Sequence, residues 1–183
     1  MLSHITEAEA AVEAAASCAS HLKDVLDVWN RVLEDPCLQD LPYKIETNRF
    51  GQIVMSPASN KHGIVQAAIC TLLSNIKTNG AVIVECSVAT TEGVKVPDVG
   101  WASAAFLTVH GDEIAFTAAP ELCVEIRSPS NSSREILEKK SLYFQSGAVE
   151  VWVSDLSGNI LFYDLKGPVE QSRLYPQFPK TVI

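Results

Sequence analysis

The 183-residue sequence contains few of the features that mark membrane, secreted or DNA-coating proteins. It has no run of about 18 apolar residues, so no transmembrane helix is expected. Its N-terminus has no basic region before an apolar segment, which argues against a signal peptide. Only 14 lysines and arginines stand against 22 acids, and the formal net charge is −8. Binding to DNA would therefore depend on a few placed cations and not on overall charge.

Cysteine and histidine are too few and too scattered to predict a zinc site. No two of the five cysteines have the spacing of a metal knuckle, and there are four histidines. Three of the cysteines lie in apolar runs and are interpreted as small buried hydrophobic residues in a reducing compartment: Cys70, Cys86 and Cys123. We therefore expect a cytoplasmic protein.

The residue patterns predict a single α/β or α+β fold, with one sheet flanked by helices. Thr6-Glu7-Ala8-Glu9 has the form of a capping box and begins a helix that runs to about Glu34. The apolar stripe around Trp29 on this helix is interpreted as core or as a contact between two copies of the chain. Two further helices are predicted over residues 60–77 and 131–146. Strands are predicted over residues 43–47, 52–56, 81–88, 94–102, 121–127, 149–154 and 160–164.

Two acids lie in segments predicted to be strands. Alternation along the strand puts Glu125 on the face opposite a core face formed by Leu122, Val124 and Ile126. Asp98 follows Pro97, which lacks a ladder donor and so marks an edge or a bulge. A buried carboxylate is costly unless it has a partner. The alternatives to a functional site are a salt bridge from Glu125, for example to Arg127, and an Asx turn at Asp98.

Two adjacent lysines, Lys139 and Lys140, lie in the next predicted helix. A helical wheel stepping about 100° per residue defines a buried face from Ile136, Leu137, Tyr143 and Phe144. The wheel places Lys140 near the centre of that face and Lys139 on its flank. At least one ammonium group should therefore point toward the sheet, where a carboxylate would receive it, unless both lysines snorkel to water.

Two acids and a lysine suit the hydrolysis of phosphodiester bonds. Mg²⁺ binds through one or two carboxylates together with substrate phosphate oxygens, and it lowers the pKa of a bound water. A nearby ammonium group can offset the negative charge that develops on the phosphate.

The chain resembles the PD-(D/E)XK nuclease superfamily, and within it a bacterial family named putative restriction endonucleases, formerly a domain of unknown function. The resemblance spans about residues 43–164. It is carried by the order and spacing of Gly51–Pro57, His62-Gly63, Val96–Val99, Val124–Ser130, Lys139, Tyr143, Gly147 and Glu150–Trp152. It implies a restriction-endonuclease-like mixed sheet over residues 41–183, with residues 1–40 as an added helical extension.

The resemblance also implies roles for individual residues. Asp98 and Glu125 match the two metal-binding acids. Arg127 stands where the superfamily usually has its lysine, and arginine is not equivalent because it stays protonated. The spacing to Tyr143 and Gly147 selects Lys139 as the catalytic lysine, whereas the wheel favours Lys140. We choose Lys139, because a residue on the flank of the buried face can lean toward a site beside the sheet, and we keep Lys140 and Arg127 as auxiliary candidates.

Glu46 and His62 match family positions near the site, as an auxiliary acid and a phosphate or water contact. The alternatives are an exposed acid on a strand for Glu46 and a histidine at a helix start for His62. The resemblance thus implies an endonuclease that uses Mg²⁺ or Mn²⁺ and acts on DNA. A homodimer is a separate expectation, for which the stripe around Trp29 is the candidate contact. The alternative is an inactive module of the same fold that binds nucleic acid or protein.

Overall fold

The structure of the protein, a computed structural model, describes residues 7–76, 79–129 and 131–183. Thr6 of the predicted capping box, Lys77 at the predicted end of the second helix, and Ser130 lie outside the described residues. The helices are α1 (Glu7–Glu34), α2 (Asn60–Asn75), α3 (Ala104–His110) and α4 (Ser133–Gln145). The strands are β1 (Tyr43–Thr47), β2 (Ile53–Pro57), β3 (Gly80–Val84), β4 (Val88–Thr90), β5 (Gly93–Lys95), β6 (Val99–Ser103), β7 (Leu122–Ile126), β8 (Glu150–Ser154), β9 (Ile160–Asp164) and β10 (Gly167–Val169).

The predicted mixed α/β fold is confirmed. Six strands form one sheet in the order β10-β9-β8-β7-β6-β3, while β1-β2 and β4-β5 form separate hairpins. β7 and β8 are parallel, and the other neighbours in the large sheet are antiparallel. Parallel neighbours need a crossover connection, which α4 supplies. No helix in the described ranges is long and apolar enough to cross a membrane.

The central strand β7 is buried on both faces. Its predicted core face, formed by Leu122, Val124 and Ile126, packs in one cluster with Val65, Ile69 and Leu73 of α2. On the other face, Cys123 packs with Tyr143 of α4 and Val151 of β8. Glu125 alternates with the core residues as predicted and therefore lies on the same side of the sheet as α4.

The predicted strand over residues 94–102 is divided in the structure. Its first part is β5, which pairs with β4, and its second part is β6, which pairs with β3 and β7. Pro97 and Asp98 lie in the break, where the missing N–H of proline does not interrupt a ladder. Asp98 therefore joins two sheets instead of lying within one strand.

The second half of α1 belongs to the core of the protein. Val25, Trp29 and Val32 are buried against Ala89 of β4 and Val94 of β5. The Trp29 stripe is therefore a core contact, which was one of its two interpretations. This packing fixes the β4–β5 hairpin, and β5 ends only three residues before Asp98.

Candidate active site

Asp98 is held rigidly at the point where β6 begins and β7 ends. Its side chain is 1 % exposed, and its Oδ2 accepts a hydrogen bond of 2.6 Å from the backbone N–H of Ile126. The side-chain amide of Gln66 donates to the Asp98 carbonyl over 2.8 Å. The Nε2 atom of His62, in the first turn of α2, lies 3.3 Å from the same Oδ2. Oδ2 of Asp98 thus has the backbone of Ile126 and the ring of His62 as its partners. Oδ1 is the oxygen that can contact a cation.

Glu125 lies beside Asp98 and is 3 % exposed. Its Oε1 accepts a hydrogen bond of 2.6 Å from the hydroxyl of Tyr143. Tyr143 follows Lys139 by four residues, which places both side chains on one face of α4. Burial raises the pKa of Glu125 above its usual range, although the ammonium groups of Lys139 and Lys44 oppose the rise.

Lys139 is the lysine of α4 that enters the site. It is 6 % exposed, its Nζ lies 2.7 Å from Glu46 Oε1, and it lies 3.5 Å from both carboxylate oxygens of Glu125. Glu46 also accepts a hydrogen bond of 2.8 Å from the backbone N–H of Val96. Burial alone would lower the pKa of Lys139, but the negative charges of Glu125 and Glu46 outweigh burial and raise it. The ammonium group therefore stays charged.

A second lysine, Lys44 of β1, also enters the site. Its Nζ lies 2.6 Å from Asp98 Oδ1 and 3.8 Å from Glu125 Oε2. Burial would lower the pKa of Lys44, yet the charges of Glu125, Asp98 and Glu46 raise it. Burial would likewise raise the pKa of Asp98, but the His62 hydrogen bond and the Lys44 charge lower it to about 2. Asp98 and Lys44 thus form a charged pair.

Sequence reasoning missed Lys44, although a signal was available. Residues two apart on a strand share one face, so the proximity of Glu46 to the site places Lys44 there as well. Sequence reasoning also missed the hydrogen bond from Tyr143 to Glu125, because it treated that tyrosine as core only.

Lys140 and Arg127 lie away from these carboxylates, and the wheel was wrong to place Lys140 further inward than Lys139. Lys140 is half-buried with its Nζ 3.8 Å from the centre of the Tyr163 ring. Leu137, which helped to define the inward face of the wheel, is 58 % exposed. Arg127 donates to the Ser133 hydroxyl over 3.0 Å in an exposed contact. The salt bridge of Glu125 is therefore made with Lys139 and Lys44, and not with Arg127.

The two acids and both inward lysines line a cavity of about 510 Å³. Its other walls come from the start of β1, from the loop between β2 and α2 together with His62, from Glu85 after β3, and from the loop between β7 and α4. In the described part of the chain, no group of three or more histidine, cysteine, aspartate or glutamate side chains is arranged to hold a metal ion. Asp98 and Glu125 are the two carboxylates that lie together at this cavity, and a pair of carboxylates is a set that Mg²⁺ uses when substrate oxygens and waters complete its shell.

The sequence model of the family Uma2, described as putative restriction endonuclease, matches residues 18–177. The chain belongs to this family. The matched residues include every acid and lysine that lines the cavity, together with the second half of α1. The family membership expected from the motif order is therefore confirmed.

Solved structures with a similar fold include one of a bacterial protein. It is the crystal structure of a protein from Anabaena variabilis, described as a putative nuclease, with a TM-score of 0.56 and 19 % sequence identity. The similarity covers 74 % of this chain and 73 % of that chain. At this identity the comparison supports the fold alone. No curated protein matches the chain.

Proposed function

We propose that this member of the Uma2 family is a DNA endonuclease that hydrolyses phosphodiester bonds with the help of a divalent metal ion. The observation that carries the proposal is the convergence of Asp98, Glu125 and Lys139 at one cavity. These residues come from a strand junction, a central strand and a crossover helix. The description of the family as restriction endonucleases supports DNA as the substrate.

The donor set fits Mg²⁺ or Mn²⁺. Asp98 and Glu125 would hold the ion, and one cationic group can approach both carboxylates, as the Lys44 ammonium does. The bound ion would supply Lewis-acid activation of the phosphate and of a water molecule. The Asp98 Oδ2 bonds to Ile126 and His62 fix the orientation of that carboxylate.

We assign Lys139 the role of a positive charge, because its Nζ lies 2.7 Å from Glu46 and 3.5 Å from Glu125. Its ammonium group would offset the negative charge that grows on the phosphate as the nucleophile attacks. The bond to Glu46 keeps the ammonium group beside Glu125, and the Val96 N–H holds Glu46 in turn. Glu46 is therefore a positioning residue in this proposal.

A plasmid-nicking assay with Mg²⁺ or Mn²⁺ tests the proposal. Glu125→Ala should abolish nicking, and Lys139→Met should reduce its rate by about 100-fold or more, as the loss of one charge-stabilising donor does elsewhere. Lys140→Met is the matched control, since it removes the same group one residue away, and it should stay near the wild-type rate. Equal rates for wild type and Glu125→Ala would reject the proposal.

The alternative is an inactive module that keeps the nuclease fold and binds nucleic acid or protein. Two observations favour it: Arg127 stands two residues after Glu125, and the Lys44 ammonium contacts the oxygens that a metal would use. Calorimetric titration with Mn²⁺ separates the two functions. An active site should bind the ion in wild type and lose it in Asp98→Asn, whereas an inactive module should show no binding that depends on this acid.

A further inference from the structure

Lys44 contacts one carboxylate oxygen of Asp98 closely and lies near one carboxylate oxygen of Glu125. We propose that Lys44 is a resident counter-cation for Asp98 and Glu125, and that a divalent metal ion must displace its ammonium group in order to bind. This inference rests on the proposed function, from which it takes the two metal ligands. Lys44 was not among the residues that motif matching selected.

The carboxylate oxygens of Asp98 and Glu125 differ in how many hydrogen-bond partners the protein provides. Asp98 Oδ2 accepts from the Ile126 N–H and lies beside His62, so only Oδ1 is left for a cation. Lys139 Nζ lies 3.5 Å from both oxygens of Glu125, but Oε1 also accepts a hydrogen bond from the Tyr143 hydroxyl, so Oε2 has fewer partners. Lys44 Nζ lies 2.6 Å from that Asp98 Oδ1 and 3.8 Å from that Glu125 Oε2. A metal ion held by Asp98 and Glu125 would therefore compete with Lys44 for these carboxylates.

Without a metal, the site requires this lysine. Glu46, Asp98 and Glu125 place three carboxylates in buried surroundings, and Lys139 lies closer to Glu46 than to Glu125, at 2.7 Å against 3.5 Å. Asp98 has no lysine or arginine besides Lys44 within ion-pair distance in the described part of the chain. An unpaired buried carboxylate is strongly unfavourable, so Lys44 stabilises the metal-free site.

Lys44 and a metal ion cannot occupy this position together. Mg²⁺ binds oxygen at about 2.0–2.1 Å, so an ion on Asp98 Oδ1 would meet the ammonium group at close range. Two cations at that separation repel each other strongly in a buried site. Lys44 belongs to the β1–β2 hairpin outside the large sheet and also lines the cavity. The cavity therefore gives the ammonium group space to move away from the two acids.

The test is calorimetric titration of Mn²⁺ into the full chain as wild type, Lys44→Met and Lys61→Met. Lys61 is an exposed lysine in the first turn of α2, so its substitution changes the net charge equally without touching the two acids. Lys44→Met should bind Mn²⁺ at least about tenfold more tightly than wild type, because the ion no longer displaces a cation. Lys61→Met should bind with wild-type affinity.

Each outcome decides the inference. Equal or weaker Mn²⁺ binding by Lys44→Met overturns it while leaving the metal site of the proposed function intact. Absence of binding in all three proteins overturns the metal-ligand assignment and the displacement together. Circular dichroism checks that each variant is folded. If Lys44→Met does not fold, Lys44→Gln replaces it, with the same direction expected because its head group is neutral.

Discussion

Lys139 should contribute far more to stability than the adjacent Lys140. Methionine at either position preserves a long unbranched side chain and removes one positive charge, so the two variants form a matched pair. Lys139 is buried between Glu46 and Glu125, with Nζ distances of 2.7 Å and 3.5 Å. Lys140 is half-buried and contacts the Tyr163 ring.

The size of the difference follows from these contacts. Removing one partner of a buried ion pair costs about 3–5 kcal/mol, since the remaining charge is left uncompensated. Glu46 keeps the Val96 N–H and Glu125 keeps the Tyr143 hydroxyl, so we expect Lys139→Met to cost about 3 kcal/mol, at the lower end of that range. Loss of a partly exposed cation–π contact costs about 0.5–1 kcal/mol. The two variants should therefore differ by about 2 kcal/mol.

Urea-induced unfolding, followed by tryptophan fluorescence with a metal chelator present, measures both free energies of unfolding. Trp29 and Trp152 are buried and report on the cores around α1 and the large sheet. Adding Glu46→Gln to Lys139→Met should recover part of the lost stability, because the uncompensated carboxylate is then removed. Equal losses for Lys139→Met and Lys140→Met, or a larger loss for Lys140→Met, would refute the assignment of Lys139 to the buried site.

Three further predictions concern stability. The fully buried Glu150 accepts hydrogen bonds from the Trp152 indole, the Ser172 hydroxyl and two backbone N–H groups, so Glu150→Ala should cost about 3 kcal/mol or more in urea unfolding. Glu170→Ala, which removes an exposed acid, should leave the urea midpoint unchanged. Gly93 has φ +91°, and a Cβ there would lie 2.6 Å from a backbone oxygen of β1, whereas Gly147 has φ +108° and open space around it. Gly93→Ala should therefore lower the Tm more than Gly147→Ala, and equal shifts would contradict the close approach. Because the pKa of Asp98 is lowered to about 2, its stabilising contribution is complete above its ordinary value of 3.8 and is lost as the pH falls through about 2. Wild type should consequently lose about 2 kcal/mol more than Asp98→Asn between pH 5 and pH 2 in urea unfolding, and parallel pH profiles would count against the charged pair.

Some of the site was predictable because strand alternation is a local property. The apolar residues of β7 require Glu125 to face the opposite side, whatever packs there. An edge or bulge at Asp98 was predictable because Pro97 has no N–H to donate to a neighbouring strand. The position of Asp98 between two sheets was not predictable. The pairing of β6 with β7 then brings both acids together, since the start of one strand lies beside the end of the other.

The inward lysine could not be predicted from the helical wheel. The wheel took Leu137 as buried, but this leucine is exposed, and the true inward face is rotated toward Lys139. That rotation depends on how α4 packs across β7 and β8. It also depends on Glu46 and Glu125, whose carboxylates stabilise the buried ammonium group of Lys139. Neither cause is local to the helix.

The sequence alone thus determined the mixed α/β fold, the family and the face that Glu125 occupies, because these depend on residue spacing along single elements. Motif spacing already favoured Lys139, but only the tertiary structure showed that Lys139 and not Lys140 reaches Glu125, that Glu46 contacts its ammonium group, and that Lys44 lies between Asp98 and Glu125. Those contacts join residues up to 93 positions apart. The partner of a buried charge lies on a different helix or strand, so spacing along one element does not reveal it.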